Sequence, residues 1–450
     1  MKKIVSLLLA VMLLVSVPVT VFAQDEVPPR DAGSGSDVIV EFYDDDVMTP
    51  ASFTEPMANA TADVPITKAN FPDTKFRNTV LSQIDRNKDK LLNAREANAL
   101  KSIIFTGWNT KTLKGIKLFP NLDYLSVRNN KLTSLDVSGM NKLTYLSCYQ
   151  NNMKTLNVTG CTKLKTLYAD DNKLTALNLF TNTKIVNLDL SGNKLKALSV
   201  AKLKPLKNLD VANNQLVVLQ LGSLKKLENV YASNNRLYRL NTSGCTNLKY
   251  LGLSGNQFRS LDLSKNKKLT SSYSGSQEMT AQINLNAATG VATFDLKSFL
   301  GKNFSYITAT PSGYGFSYTA RPVYNPTTGL ITMTGITAAN LSEKSFYVTC
   351  KAGSSNAPTM NITINLTAAP IKTASAAISL SAVTLKRGKN VTLIAYSYPE
   401  VPANTITWKS NKPKIATVNK SGKVVAKAKG KATITATVNG KKVKCVVTVQ

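Results

Sequence analysis

From Leu122 onward the chain repeats every twenty-one residues without insertion or deletion: LDYLSVRNNKLTSLDVSGMNK, LTYLSCYQNNMKTLNVTGCTK, LKTLYADDNKLTALNLFTNTK, then four units starting at Ile185, Leu206, Leu227 and Leu248. A decayed eighth unit begins at Leu269, and an irregular one precedes Leu122 around Ile104, Asn109 and Leu113. A single coil of this length cannot bury its own apolar side. Stacking on its neighbours is therefore forced, and the chain must form a solenoid.

The pattern within each unit says how the coil is built. The fourth and sixth positions (Leu125 and Val127, Leu146 and Cys148, Leu188 and Leu190) alternate with polar residues, as in a strand with one buried face. These strands should line up as a parallel sheet on the concave side. A second alternating pair (Leu135 and Val137, Leu156 and Val158, Leu219 and Leu221, Leu261 and Leu263) predicts a short extended segment, rather than a helix, on the convex side. The ninth position is Asn in all seven units, from Asn130 to Asn256. A buried amide there can satisfy backbone groups left unpaired by a tight turn. The units fit L-x-x-L-x-L-x-x-N-x-L, so roughly 175 residues resemble leucine-rich repeats.

Side chains at the third, fifth and seventh positions should point out of the concave sheet. The third column reads Tyr124, Tyr145, Thr166, Asn187, Asn208, Asn229, Tyr250, Ser271, and the fifth Ser126, Ser147, Tyr168, Asp189, Asp210, Tyr231, Gly252, Tyr273. The seventh reads Arg128, Tyr149, Asp170, Ser191, Ala212, Ser233, Ser254, Gly275. Lysine is absent from all three. Tyrosine combines a rigid apolar ring with a polar tip and suits recognition, although strands favour it anyway. The expected ligand-binding set is Tyr124, Arg128, Tyr145, Tyr149, Tyr168, Asp170, Asp189, Asp210, Tyr231, Tyr250 and Tyr273. Lysines gather instead at the tenth and last positions (Lys131, Lys173, Lys194; Lys142, Lys163, Lys184, Lys226, Lys268), without the interleaved aromatics that stack nucleic-acid bases.

Before the repeats, residues 66–100 read as a helix, a polar loop and a second short helix. The loop DRNKDKLLNARE places Asp85, Asn87, Asp89, the Leu91 carbonyl, Asn93 and Glu96 at calcium-loop spacing. Its sixth place is Lys90, where a sharp turn favours Gly. The segment resembles the helical caps, some derived from calcium-binding hands, that close internalin-like solenoids of bacterial surface proteins. Ca2+ is the one cofactor this resemblance and spacing suggest, and a metal-free cap is the alternative.

Behind the solenoid (101–277), residues 278–373 carry short alternating runs separated by Gly, Pro and Asn turns, the pattern of an immunoglobulin-like β-sandwich. Residues 374–450 hold Gly388, Pro399, the run TWKSN at 407–411, IATV at 415–418, Gly422, Gly430 and ATI at 432–434. They resemble the bacterial immunoglobulin-like group 2 domain, which implies a spacer or adhesion unit, with Trp408 and Cys445 filling the core. The fold class expected is mainly β: a short-repeat leucine-rich-repeat solenoid with a small helical N-terminal cap, followed by two immunoglobulin-like β-sandwiches.

At the start, Lys2 and Lys3 precede an apolar run that ends Val21-Phe22-Ala23, which reads as a secretory signal over 1–23. Residues 24–65 are acidic and Pro-, Gly- and Ser-bearing and read as a disordered linker. No Cys stands at the cleavage junction and no sorting motif ends the chain, so the mode of surface attachment is open. Positions 64–450 carry a net charge of +37, which favours polyanions. Five widely spaced cysteines read as buried thiols rather than a disulfide framework. The complete absence of histidine removes Ser-His and Cys-His catalysis and His-ligated zinc. An Asp189–Asp210 pair could in principle act on glycosides, but on adjacent strands it should lie on an open, wet sheet. The expectation is a secreted or cell-surface adhesin-like protein, not an enzyme, whose concave face binds a protein or glycan on host or neighbouring cells. The alternative is a non-catalytic wall-associated protein held electrostatically on anionic polymers. Neither specific nucleic-acid binding nor a membrane span in the mature chain is expected.

Overall fold

The computed structural model describes residues 38–42 and 63–450, apart from 274–275, 317–321, 356, 373–374 and 399–404. The signal segment and most of the acidic linker lie outside the described residues. Within that linker, however, Val38–Phe42 forms a strand that pairs antiparallel with Leu100–Phe105. The run VIVEF has the β-branched content that strand pairing favours, and the open edge of the sheet offers it a partner.

Leu100–Phe105 opens a ten-stranded sheet that continues in parallel through Tyr124–Ser126, Tyr145–Ser147, Thr166–Tyr168, Asn187–Asp189, Asn208–Asp210, Asn229–Tyr231, Tyr250–Gly252 and Ser271–Tyr273. The register advances by one repeat per strand, so Leu188 lies between Leu167 and Leu209. On the convex side, Ser134–Asp136 pairs with Thr155–Asn157 and Ala197–Ser199 with Val218–Gln220, short extended pieces as the second alternation predicts.

Two polar columns hold the turns. The ninth-position amides form a ladder. Asn193 donates through Nδ2 to the carbonyls of Ala169 (2.9 Å), Leu190 (3.1 Å) and Ser191 (3.2 Å), and its Oδ1 accepts from the Leu174 N–H at 3.0 Å. Asn130, Asn151, Asn172, Asn214, Asn235 and Asn256 repeat the arrangement. The decayed eighth unit keeps it with Gln277, which donates to Leu253 and accepts from Phe258. Directly before the ladder, Asn129, Gln150, Asp171, Gly192, Asn213, Asn234 and Gly255 all take a left-handed conformation, with φ between 50° and 68°. Asn, Asp and Gly are the residues that tolerate it best.

The cap places Thr74–Thr79 and Ala94–Ala99 as helices around the loop at 85–96. It seals the first coil with Phe71, Phe76, Phe105 and Phe119, all fully buried. At the other end the strand Gln277–Gln282 crosses the boundary placed at 277/278. Its first residue ends the amide ladder while the strand itself pairs in parallel with Thr359–Thr367 of the first sandwich. Two four-stranded sheets make that sandwich, and its core is continuous with the solenoid's from Ile66 to Leu366.

The C-terminal module has its own core around Ile434, Cys445 and Val447. Trp408 packs against the margin of that core, half-buried rather than filling it, over Gly422, where a Cβ would stand 2.9 Å from the indole and the missing side chain makes room for it. All five cysteines are buried free thiols. The module also docks on the side of the solenoid. Val217, Val218 and Tyr238 form one apolar cluster with Ala377, packed by Tyr396 and Tyr398. Tyr238 meets Tyr396 edge-on at 5.8 Å, and Arg236 lies over the Tyr398 ring at 5.0 Å. The positions that dock are the twelfth and thirteenth of their repeats. These are Thr133/Ser134 and Lys154/Thr155 in the first two units and become Val217/Val218 where the module sits.

Deleting an inner rung of the ladder orphans buried backbone groups on both sides of it. Asn193→Ala should lower stability to urea by about 2–4 kcal/mol, whereas the exposed Asn141→Ala should change it by less than about 0.5 kcal/mol.

Candidate functional site: the concave face

In-register stacking turns each outward column into a row of like residues about 4.8 Å apart. At the N-terminal end Tyr124 and Tyr145 stack face to face at 4.3 Å, and Tyr168 meets Tyr145 edge-on at 5.9 Å. Beside them the Arg128 guanidinium donates to Tyr149 Oη at 2.9 Å and lies over its ring at 5.9 Å. Tyr231 and Tyr250 form a second aromatic pair, 4.5 Å apart, towards the other end. The backbone of Tyr273 occupies the last strand of the sheet, and its side chain is outside the described residues.

Between the two aromatic groups lies a polar stretch. Asn229 Nδ2 donates to Asn208 Oδ1 (2.7 Å), and Asn208 Nδ2 donates to Asn187 Oδ1 (2.8 Å), forming an amide chain along the third column. Asn187, Asn208 and Asn229 belong to the third column but not to the expected binding set. Their signal was simply three like amides in register. Next to the chain, Asp189 and Asp210 occupy directly paired positions of neighbouring strands. Asp189 Oδ1 accepts from Ser191 N–H and Oγ, at 3.0 and 2.7 Å, and Asp210 Oδ1 accepts from Ala212 N–H at 2.9 Å. Asp170 is half-buried one column over, on the third repeat.

The face is less open than outward-pointing columns suggested. Tyr168 is 6% exposed and Asp189 also 6%, while Tyr124, Tyr145, Asp210, Tyr231 and Tyr250 are half-buried. Concave curvature and large neighbours at strand spacing shade the fifth column, so the carboxylate pair does not lie on a wet sheet. Burial first, and then the neighbouring charge of Asp189, push the Asp210 carboxyl up from the ordinary 3.8 to about 7. Burial likewise pushes the Tyr145 phenol up, so it stays protonated and can donate. Side by side on one sheet, the two carboxylates do not flank a sugar from opposite sides as glycoside hydrolysis requires. They suit binding of a hydroxyl, amide or cationic group.

The cap loop is a second, smaller site. Lys90 takes φ 65°, so the sixth place adopts the turn despite its side chain. Asp85 Oδ2 accepts from the Lys90 N–H at 3.0 Å, while its Oδ1 is buried without a partner. Glu96 is fully buried and accepts from the N–H groups of Arg86 (2.8 Å) and Asn93 (3.2 Å), closing a capping box with Asn93. Burial, opposed by these bonds and reinforced by Asp85, raises its carboxyl above the usual range. Asn87 and Asp89 bond to each other at 2.8 Å, and Leu91 enters a two-residue strand opposite Pro65. Among the described residues, no three His, Cys, Asp or Glu side chains are gathered tightly enough to hold a metal as they stand. The orphaned Asp85 oxygen is the one feature that a cation would satisfy.

Repeat, sheet and amide ladder together define a leucine-rich-repeat solenoid. Behind it, residues 372–448 match the Bacterial Ig-like domain (group 2) and form one. A Lacto-N-biosidase from Bifidobacterium bifidum is 42% identical over 73 residues, 16% of this chain, and the chain spans 7% of that relative's length. Among solved structures, an internalin C2 of Listeria monocytogenes is similar at 24% identity and TM-score 0.40, covering 49% of this chain and 99% of its own. The functional domain of InlJ from Listeria monocytogenes is similar at 17% identity and TM-score 0.25, covering 69% and 100%. No helix among the described residues is long and apolar enough to cross a membrane.

The raised Asp210 carboxyl has a thermodynamic consequence. A folded-state value near 7 against an ordinary 3.8 means that its contribution is fully present below about pH 4 and is lost as pH rises through about 7. Asp210→Asn should therefore raise the thermal midpoint relative to wild type at pH 8 and not at pH 3.5. The expected scale is about 2–4 °C per kcal/mol recovered, read by circular-dichroism melts at both pH values.

Proposed function

We propose that this chain is an exported, cell-surface binding protein whose concave face captures a protein or glycan ligand. The observation that carries the reading is the composition of that face. Two aromatic clusters, Tyr124–Tyr145–Tyr168 and Tyr231–Tyr250, flank a polar strip of three linked amides and two paired carboxylates. Aromatic anchors around directional polar groups are how recognition surfaces gain both energy and specificity. The lysine-rich start followed by an apolar run supports export, and the adjoining immunoglobulin-like modules support display at a surface. With histidine absent and the carboxylates side by side, binding fits the site better than catalysis.

Because Tyr168 is buried, the half-buried Tyr124, Tyr145 and Tyr250 are the better probes. The full chain should capture a defined ligand from glycan arrays or labelled cell-surface proteins. The triple Tyr→Ala variant should lose that capture by tenfold or more with its circular-dichroism spectrum unchanged. Undiminished capture by a folded triple variant would move the site off this face.

We further propose that the cap loop takes Ca2+ through Asp85, Asn87, Asp89, the Leu91 carbonyl, Asn93 and Glu96, with the unpartnered Asp85 Oδ1 as the observation in favour. Bound calcium would tie the two cap helices together. Saturation at 100 times the dissociation constant should stabilise the fold by about 2.7 kcal/mol. Calorimetry and melts with and without Ca2+ should show this in the wild type and not in Asp85→Ala; an identical response in both excludes the site.

A further inference from the structure

The C-terminal module is far more one-sided in charge than the rest of the chain. Residues 372–450 carry fifteen Lys and Arg against the single Glu400. A surface made only for solubility intersperses both signs. The module's four-stranded sheet, in the order Ala382–Leu385, Lys441–Val449, Gly430–Val438, Ile406–Ser410, turns alternate residues into the core and the others outward. Cys445, Val447, Ile434 and Ala436 face in. The outward residues include Lys409, Lys431, Lys442 and Lys444, all exposed, set among threonines. Among the described residues none of the four lysines makes an ion pair, and no carboxylate lies on this face.

The spacing is regular. Lys442 and Lys444 stand two residues apart on one strand, about 7 Å along it. Thr435 pairs with Lys444 on one side and with Lys409 on the other, so those two lysines lie in one row, two strand spacings or about 10 Å apart. None of the residues that dock the module on the solenoid belongs to this face, which stays open when the module is docked. We propose that this sheet face is a binding site for a flexible polyol-phosphate polymer, whose phosphodiester charges lie across the lysine row and whose hydroxyl-bearing backbone meets the threonines.

Two features favour that polymer over other polyanions. The charges are lysines, compact point charges suited to a mobile phosphodiester. The module's one arginine, Arg387, lies on none of the four strands of this sheet, so the strands themselves offer only point charges. The module's tryptophan, Trp408, packs toward the core, which leaves this face without an aromatic platform for stacking bases.

The site is independent of the concave face and is tested separately from it. The full chain is titrated into fluorescently labelled poly(glycerol phosphate) at 50 and 200 mM salt. The same titration is made for Lys409→Gln/Lys442→Gln/Lys444→Gln and for a charge-matched control, Lys173→Gln/Lys194→Gln/Lys226→Gln, on exposed solenoid positions. The sheet variant should bind at least tenfold more weakly at 50 mM salt, with the log–log salt slope reduced by about 2. The control and the concave-face tyrosine variant should bind as wild type does. Equal weakening in the control would show that net charge alone acts. Absence of wild-type binding, or stronger binding of heparin or oligodeoxythymidylate than of the phosphate polymer, would overturn the proposal.

Discussion

One side-chain amide per coil governs this molecule. Each ninth-position Asn spends both halves of its amide on backbone that would otherwise be buried and unpaired: the carbonyl oxygen caps a turn of the preceding coil, and the NH2 spans that coil and its own. Because each amide reaches back to the coil before it, a coil of a different length would break two sets of bonds. That explains a period held at twenty-one residues through seven units while almost every surface position varies. It also explains why Gln277, one methylene longer, appears only at the last rung, where the next strand already belongs to the sandwich and some slack can be taken up.

Strict register has a chemical consequence on the concave side, where every residue lies against its counterpart one repeat away. For tyrosine this is favourable, since stacked and edge-on rings attract. For asparagine it creates a donor-to-acceptor chain. For like charges it is unfavourable, which accounts for the absence of lysine from the three outward columns and its placement at the rims, where side chains can splay into water. Asp189 and Asp210 are the exception, and the raised Asp210 carboxyl is how the sheet tolerates them. A carboxyl raised by burial and by a neighbouring carboxylate is costly to keep in a purely structural surface, which is a reason to connect the pair with ligand recognition.

The fold was largely legible because its information is local and periodic. Apolar alternation gave the strands, the invariant Asn gave the ladder, and turn-rich alternation gave the sandwiches. The left-handed eighth column, Asn129, Asp171, Gly192 and their equivalents, emerges only with the structure, although its composition is one that few other backbone conformations select. What alternation could not convey was depth. It shows that Tyr168 and Asp189 point out of the sheet, but their shading depends on curvature and on neighbours in other coils. Trp408 shows the same limit: its inward register predicts core, and the indole packs against the core over Gly422 with part of it still exposed. In the cap loop, Lys90 takes the conformation expected of Gly, because the Asp85 carboxylate holds its N–H. The linker strand at 38–42 had a local signal, but its partner lay about sixty residues away.

Docking of the C-terminal module changes what its charge can do. A spacer on a free tether would explore all orientations, and its contribution to a second contact would follow only from linker length. Here Val217, Val218 and Tyr238 replace the polar residues of earlier repeats just where Ala377, Tyr396 and Tyr398 arrive, so the contact is written into the repeat sequence itself. The lysine-bearing sheet and the tyrosine- and aspartate-bearing concave face thus belong to one folded unit, with lysine on the first and none in the outward columns of the second. On the two readings proposed above, an anionic polymer and a ligand of different chemistry would meet separate faces of one folded unit.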